Sequence, residues 1–215
     1  GKTEMWYVVD CEPGARIFSG FRRPIKKEEY EEALSDSKIE EILNSEITCP
    51  GDVFFTPSGR VHAIGAGNLL IEIQQTSDIT YRIFDWNRVG TDGKPREMHN
   101  DLAVDAIDYN QWGNTKKSTA PVKNITENIS DCKYFTVNIL HFDEATEKDY
   151  NHLDSFIIYI WIEGEFSINW EGHREHALAG ETLLLPATIR EVMLTPSPEA
   201  KILEIFIKET DYEKN

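Results

Sequence analysis

Apolar residues fall in short blocks and alternations along most of the chain, and helical spacing is confined to one stretch. Met5 to Asp10 (MWYVVD) and Asp52 to Thr56 (DVFFT) combine aromatic and β-branched residues, which suit a pleated, half-buried surface. Between them, Lys26 to Leu34 and Ser37 to Leu43 set Ile39, Ile42 and Leu43 at helical intervals among acids, with Ser35 to Ser37 as break and cap. A small helical insert, about 24–45, is expected there. From Asn68 to Arg88 the strand pattern returns as NLLIEIQQ and then TYRIFDWNR, followed by a turn-rich loop from Gly90 to Pro95. Residues 110–131, poor in large apolar side chains, read as a linker. Beyond it, strands are expected at Tyr134–Phe142, Ser155–Ile162, Glu165–Trp170, Glu181–Leu185 and Ile202–Lys208. Short strands at regular spacing with turns between them predict a mainly β chain, a β-sandwich or jelly roll.

Composition narrows the classes. Of 215 residues, 22 are Lys or Arg and 38 Asp or Glu, a formal net charge of −16. So acidic a chain is a poor partner for a nucleic-acid backbone or an anionic membrane, both of which need excess basic residues. The longest apolar runs, Phe156 to Ile162 and Ile202 to Ile207, fall far short of the roughly 20 residues that cross a bilayer. No basic and apolar leader opens the sequence. Three widely spaced cysteines, Cys11, Cys49 and Cys132, fit reduced thiols better than a disulfide framework. A cytoplasmic protein is the expectation, and the sequons at Asn124 and Asn128 are read as chance matches.

One pattern occurs twice. Gly51 to Pro57 (GDVFFTP) and Gly180 to Pro186 (GETLLLP) share the form glycine, acid, four strand residues, proline. The first continues as Ser58-Gly59-Arg60-Val61-His62, so a turn returns the chain with His62 on the next strand. The second puts Glu191 where the first has His62. The stretch GDVFFTPSGRVH resembles the second sequence motif of the cupins, which implies a double cupin: a metal-binding region over 1–109, the linker over 110–131, and a degenerate copy over 132–215 without the metal.

A narrower resemblance rests on several motifs in order: the opening GKTEMWY, then His62-Ala63, then Glu72 to Asp78 (EIQQTSD), then Tyr81-Arg82. These are similar to the type I mannose-6-phosphate isomerases in their short bacterial form. The resemblance covers nearly the whole chain and is strongest from Gly1 to Asp10 and from Gly51 to His99. It implies a single zinc held by a Gln-x-His pair, a Glu in a Lys-x-Glu motif and a later His. The Glu falls on Glu4, the later His on His62, the motif's Lys on Lys2 and the active-site Arg on Arg82. No Gln-x-His pair precedes Glu4, so the natural protein is expected to continue upstream.

Local reasoning adds to this. Lys2 and Glu4 would share one face of a strand, offering an ammonium to an anionic sugar phosphate and a carboxylate to a metal. Glu72 shares a face with Leu70 and Gln74 and could carry a proton or support a metal ligand. His173 and His176 are read as residues of a solvated turn. The expected reaction interconverts mannose 6-phosphate and fructose 6-phosphate through a cis-enediol. Zinc would act as Lewis acid, Arg82 as electrostatic stabiliser, Lys2 as phosphate holder or proton carrier, and Glu72 as proton carrier or support of a metal ligand. Two other readings keep the fold: a non-catalytic double cupin that binds or senses a sugar, and an iron-dependent oxygenase with two His and one carboxylate.

Overall fold

The structure, a computed structural model, describes residues 1–86, 88–110, 113 and 115–208. It is mainly β and divides into two compact units, Gly1–Ser118 and Thr119 onward. No helix among the described residues is long and apolar enough to cross a membrane.

In the first unit, β1 (Glu4–Cys11), β4 (Asp52–Thr56), β6 (Asn68–Gln74) and β7 (Lys116–Ser118) form an antiparallel sheet in the order β6-β1-β4-β7. A smaller sheet has the order β3-β2-β5, from β2 (Arg16–Phe21), β3 (Leu43–Ile47) and β5 (His62–Ile64). The insert appears as α1 (Lys27–Ser35) and a single turn, α2 (Ile39–Ile42). Between them the chain reverses at Ser37, whose φ of 58° lies in the left-handed region. Tyr30 and Ile39 anchor these helices in a cluster with Phe21, Leu43 and Val61. A third helix, α3 (Asn100–Ala106), was not expected from the pattern.

The second unit is one antiparallel sheet system, β12-β11-β14-β9-β8, with β10 paired to β14 and β13 to β11. Its strands are β8 (Thr126–Asp131), β9 (Thr136–Phe142), β10 (Thr146–Asp149), β11 (Ile157–Trp170), β12 (His173–Leu178), β13 (Thr182–Leu185) and β14 (Glu191–Phe206). Trp161 and Phe166 stack at its core, with Tyr159, Phe142, Leu194 and Ile202 packed around them.

Several expectations need correction. The stretch 110–131 is not a bare connection: β7 closes the edge of the first sheet and β8 the edge of the second, and the division falls at Ser118. Gln111, Trp112 and Asn114 within it lie outside the described residues, as do residues 209–215. TYRIFDWNR is not a strand, although Asn87 lies outside the described residues. Neighbouring Ile83 and Phe84 pack on the same cluster, which the alternating faces of a strand would forbid. The two strands expected over 155–170 are one, β11, whose register shifts near Glu163 and Gly164. His173 and His176 lie in edge strand β12 rather than a turn, both exposed, and His173 stacks on Trp170. Being three apart in a strand, they point to opposite faces and make no metal pair.

The repeated motif folds alike in both units. Gly51 and Gly180 have φ of 88° and 89°. Asp52 N donates to Cys49 O and Glu181 N to Leu178 O; Arg60 N donates to Pro57 O and Ile189 N to Pro186 O. His62 opens β5 as Glu191 opens β14.

Candidate active site

The site is built around β1, which is paired on both sides. Glu4 stands opposite Thr56 of β4 and Gln74 of β6, and Trp6 opposite Phe54 and Glu72. Directly opposed residues of antiparallel strands project to the same face. Glu4 and Trp6, two apart on β1, therefore share a face with Thr56 and Glu72, which come from distant parts of the sequence.

Four of the five residues singled out in the sequence meet here. Lys2 lies just before β1 rather than in it, and its Nζ is 2.8 Å from Glu4 Oε1 and 3.9 Å from Glu72 Oε1. Trp6 Nε1 donates to Glu72 Oε1 at 3.3 Å. His62, from the other sheet, brings Nε2 to 3.6 Å from Glu4 Oε2 and sets its ring edge to Trp6, centroids 5.2 Å apart. Glu4 is almost wholly buried, and its Oε2 has no hydrogen-bond partner.

These donors suit a divalent cation. His62 Nδ1 lies 2.7 Å from the Arg60 carbonyl oxygen, which can only accept, so in the neutral ring Nδ1 carries the proton and Nε2 has the lone pair. That lone pair and the unpartnered carboxylate oxygen face each other. Two ligands of a tetrahedral zinc, each about 2.0–2.1 Å from the ion, stand roughly 3.3 Å apart, close to the 3.6 Å observed. Among the described residues no set of three or more His, Cys, Asp or Glu forms a metal-holding group, so Glu4 and His62 would be two donors of a larger shell.

Burial pushes the Glu72 carboxyl above its ordinary value, and the neighbouring Glu4 carboxylate adds to this, against the opposing pull of Trp6 and Lys2. It stands beside a carboxylate that favours its protonated form and an ammonium that opposes it.

Arg82 is not drawn into this cluster. Its backbone N–H donates to His99 Nδ1 at 3.1 Å, its carbonyl accepts from His99 N at 2.8 Å, and its Nη1 donates to the Glu97 carbonyl at 2.9 Å. None of its hydrogen bonds or ion pairs reaches Lys2, Glu4, His62 or Glu72. The segment is fixed nearby by Asp85, buried between Arg88, whose Nε donates at 2.8 Å, and Arg96. Arg96 and then Arg88 hold the Asp85 carboxyl at about 2, below its usual 3.8. A carboxyl lowered on folding stabilises the fold above its unfolded value and stops doing so as the pH falls through its folded value. Asp85→Asn is therefore expected to be less stable than the parent above about pH 4 and to converge with it toward pH 2. Urea midpoints across that range check this, and parallel curves would refute it.

Sequence reasoning missed Trp6, Thr56 and His99. Trp6 was within reach, since strand periodicity puts it on the face of Glu4. The others depend on pairing across the sheet and on an irregular loop.

No family model matches the chain. It is 32% identical over 198 residues to mannose-6-phosphate isomerase ManA of Bacillus subtilis, covering 90% of this chain and 61% of that protein. A crystal structure of the mannose 6-phosphate isomerase from Bacillus subtilis superposes with a TM-score of 0.82 at 28% identity, covering 95% of this chain and 64% of that one. A mannose 6-phosphate isomerase bound with zinc and yttrium, 16% identical, shares the fold with a TM-score of 0.69 over 96% of this chain and 66% of its own. The chain thus spans about three fifths of the length of the relatives it matches. Sequence and double-cupin fold together make this chain a homologue of the mannose-6-phosphate isomerases.

Proposed function

We propose that the protein is a zinc-dependent aldose-ketose isomerase that interconverts mannose 6-phosphate and fructose 6-phosphate through a cis-enediol. The observation that carries this reading is the pairing of Glu4 Oε2, buried and unpartnered, with the lone pair of His62 Nε2 at 3.6 Å, beside Lys2 and Glu72. Homology supplies the substrate class, and the zinc in a relative of the same fold supports the metal.

In this reading Glu4 and His62 hold the cation, and the Arg60 carbonyl keeps the imidazole in the tautomer that can bind it. When bound, zinc supplies Lewis acidity to the sugar's carbonyl and hydroxyl oxygens. Moving hydrogen between C1 and C2 needs a group that takes a proton from one carbon and returns it to the other. Glu72, with its raised carboxyl, is that carrier, and the Trp6 indole N–H fixes its orientation. Lys2, whose Nζ lies next to Glu4 and Glu72, favours an anionic substrate over a neutral sugar. Arg82, which lies outside this cluster with Nη1 on the Glu97 carbonyl, takes from the family resemblance the role of stabilising the charge that develops on the enediolate oxygen. The first unit carries this chemistry, and the second keeps the turn geometry with Glu191 in place of the histidine. Free Cys11, Cys49 and Cys132 suit the reducing cytoplasm in which we place the enzyme.

Conversion of mannose 6-phosphate to fructose 6-phosphate by the full-length protein tests the proposal. Stripping the metal with a chelator is expected to abolish turnover and added zinc to restore it. Turnover that survives complete removal of metal would reject the zinc dependence. No conversion by folded, zinc-loaded protein would reject the isomerase and leave sugar binding.

A further inference from the structure

Glu4 Oε2 is not alone in lacking a partner on this face. The Thr56 hydroxyl is also buried without a hydrogen bond, and Thr56 is 0% exposed. The two residues are directly opposed in the β1/β4 register, so their side chains rise side by side. A buried hydroxyl without a partner weakens a fold, and valine would fill the same volume without that penalty. Phe54, two residues earlier on the same face of the strand, shows that apolar side chains pack well here. A buried hydroxyl at this position calls for an acceptor within its reach.

The Glu4 carboxylate offers that acceptor. Glu4 Oε1 is taken by Lys2, and Oε2 faces His62. A carboxylate oxygen has two lone pairs, so Oε2 can bind a cation through one and accept a hydrogen bond through the other. Ligating carboxylates are held by such bonds, which fix the ligand's angle and its affinity. Of the neighbours across the sheet, Thr56 can donate from a buried position, whereas Gln74 on the opposite side is exposed.

We propose, resting on the zinc reading above, that Thr56 is a positioning residue for the metal. Its hydroxyl donates to Glu4 Oε2 when that oxygen turns to bind the cation. The residue touches neither metal nor sugar and acts through Glu4.

Full-length protein and its Thr56→Val and Thr56→Ser variants decide this through zinc affinity, measured by competition with a chromophoric chelator. Thr56→Val is expected to bind zinc about 10- to 100-fold more weakly, while its metal-free form unfolds no earlier than the parent. Thr56→Ser keeps the hydroxyl and stays near the parent. Turnover by Thr56→Val should fall at limiting zinc and return at saturating zinc, which a loss of packing would not produce. Zinc affinity within about twofold of the parent in Thr56→Val, or an equal loss in Thr56→Ser, would overturn the proposal, as would a parent that binds no zinc. If the parent binds zinc but does not isomerise mannose 6-phosphate, the isomerase reading fails and the affinities alone judge Thr56.

Discussion

Arg82→Ala is expected to lower kcat/KM for mannose 6-phosphate by about 100- to 1000-fold, the loss typical of one electrostatic donor aimed at a developing oxyanion. Its position is set by its backbone, which exchanges hydrogen bonds with His99 on both sides, and by the Asp85 knot with Arg88 and Arg96 a few residues on. The guanidinium itself touches little, since Nη1 donates to the Glu97 carbonyl and Arg82 is partly exposed. Removing it should therefore cost little stability while removing the charge. Arg82→Lys is not expected to recover the rate, because a point-like ammonium cannot reproduce the planar, multiply donating fork. Steady-state kinetics alongside a urea unfolding curve separate the two effects. Turnover within a few fold of the parent would remove Arg82 from the mechanism.

The second large effect lies in the other unit and concerns the fold alone. Glu204, 3% exposed, accepts from Tyr150 at 2.5 Å and Asn138 at 2.8 Å, and its Oε1 is 3.0 Å from Lys148 Nζ. Lys148 also donates to Thr126 at 2.8 Å, and the Tyr150 and Tyr159 hydroxyls bond each other. Burial pushes both phenols far above their ordinary range, so they stay protonated and able to donate. Taking away the carboxylate leaves the buried Lys148 without its counter-charge and takes an acceptor from Tyr150 and Asn138. Glu204→Leu is expected to destabilise the second unit by about 3–5 kcal/mol. Pairing it with Lys148→Met should recover much of that loss, because an apolar pair replaces an ion pair at little net cost. Urea unfolding followed by tryptophan fluorescence measures both. A single variant within about 1 kcal/mol of the parent would show that the pair contributes little to the fold.

How far the sequence reaches depends on whether a residue's partners are local. β1 and β4 were legible because central strands must be apolar on their buried faces, and β6, an edge strand, because Leu69, Leu70, Ile71 and Ile73 give it a β-like apolar run. β7 and β8 were not, because both are edge strands: Lys116, Lys117, Ser118 and Glu127 can face water there, and polar edges carry no strand pattern. The length of β14 was hidden by Pro196, Pro198 and Glu199 in its middle. TYRIFDW alternates as a strand does, yet its conformation is decided by Asp85 and two arginines, one of them well outside the segment. For the site, resemblance pointed to Lys2, Glu4, His62 and Arg82, and structure joined the first three with Glu72. The Arg60 carbonyl that selects the His62 tautomer is a backbone atom, which no side-chain pattern could have marked.

The placement of β1 bears on when the site comes into being. The strand that carries Glu4 lies between β4 and β6, both of which follow much later in the chain. Such long-range pairing closes long loops before it gains contacts, which slows its formation. Until it happens, His62 and Glu72 have no Glu4 to meet, and a partly folded first unit has no cation site. A divalent ion held between β1 and β5 would favour the inserted strand over the frayed one, by mass action. Metal supply would then govern how long the finished first unit persists, as well as whether it turns over substrate.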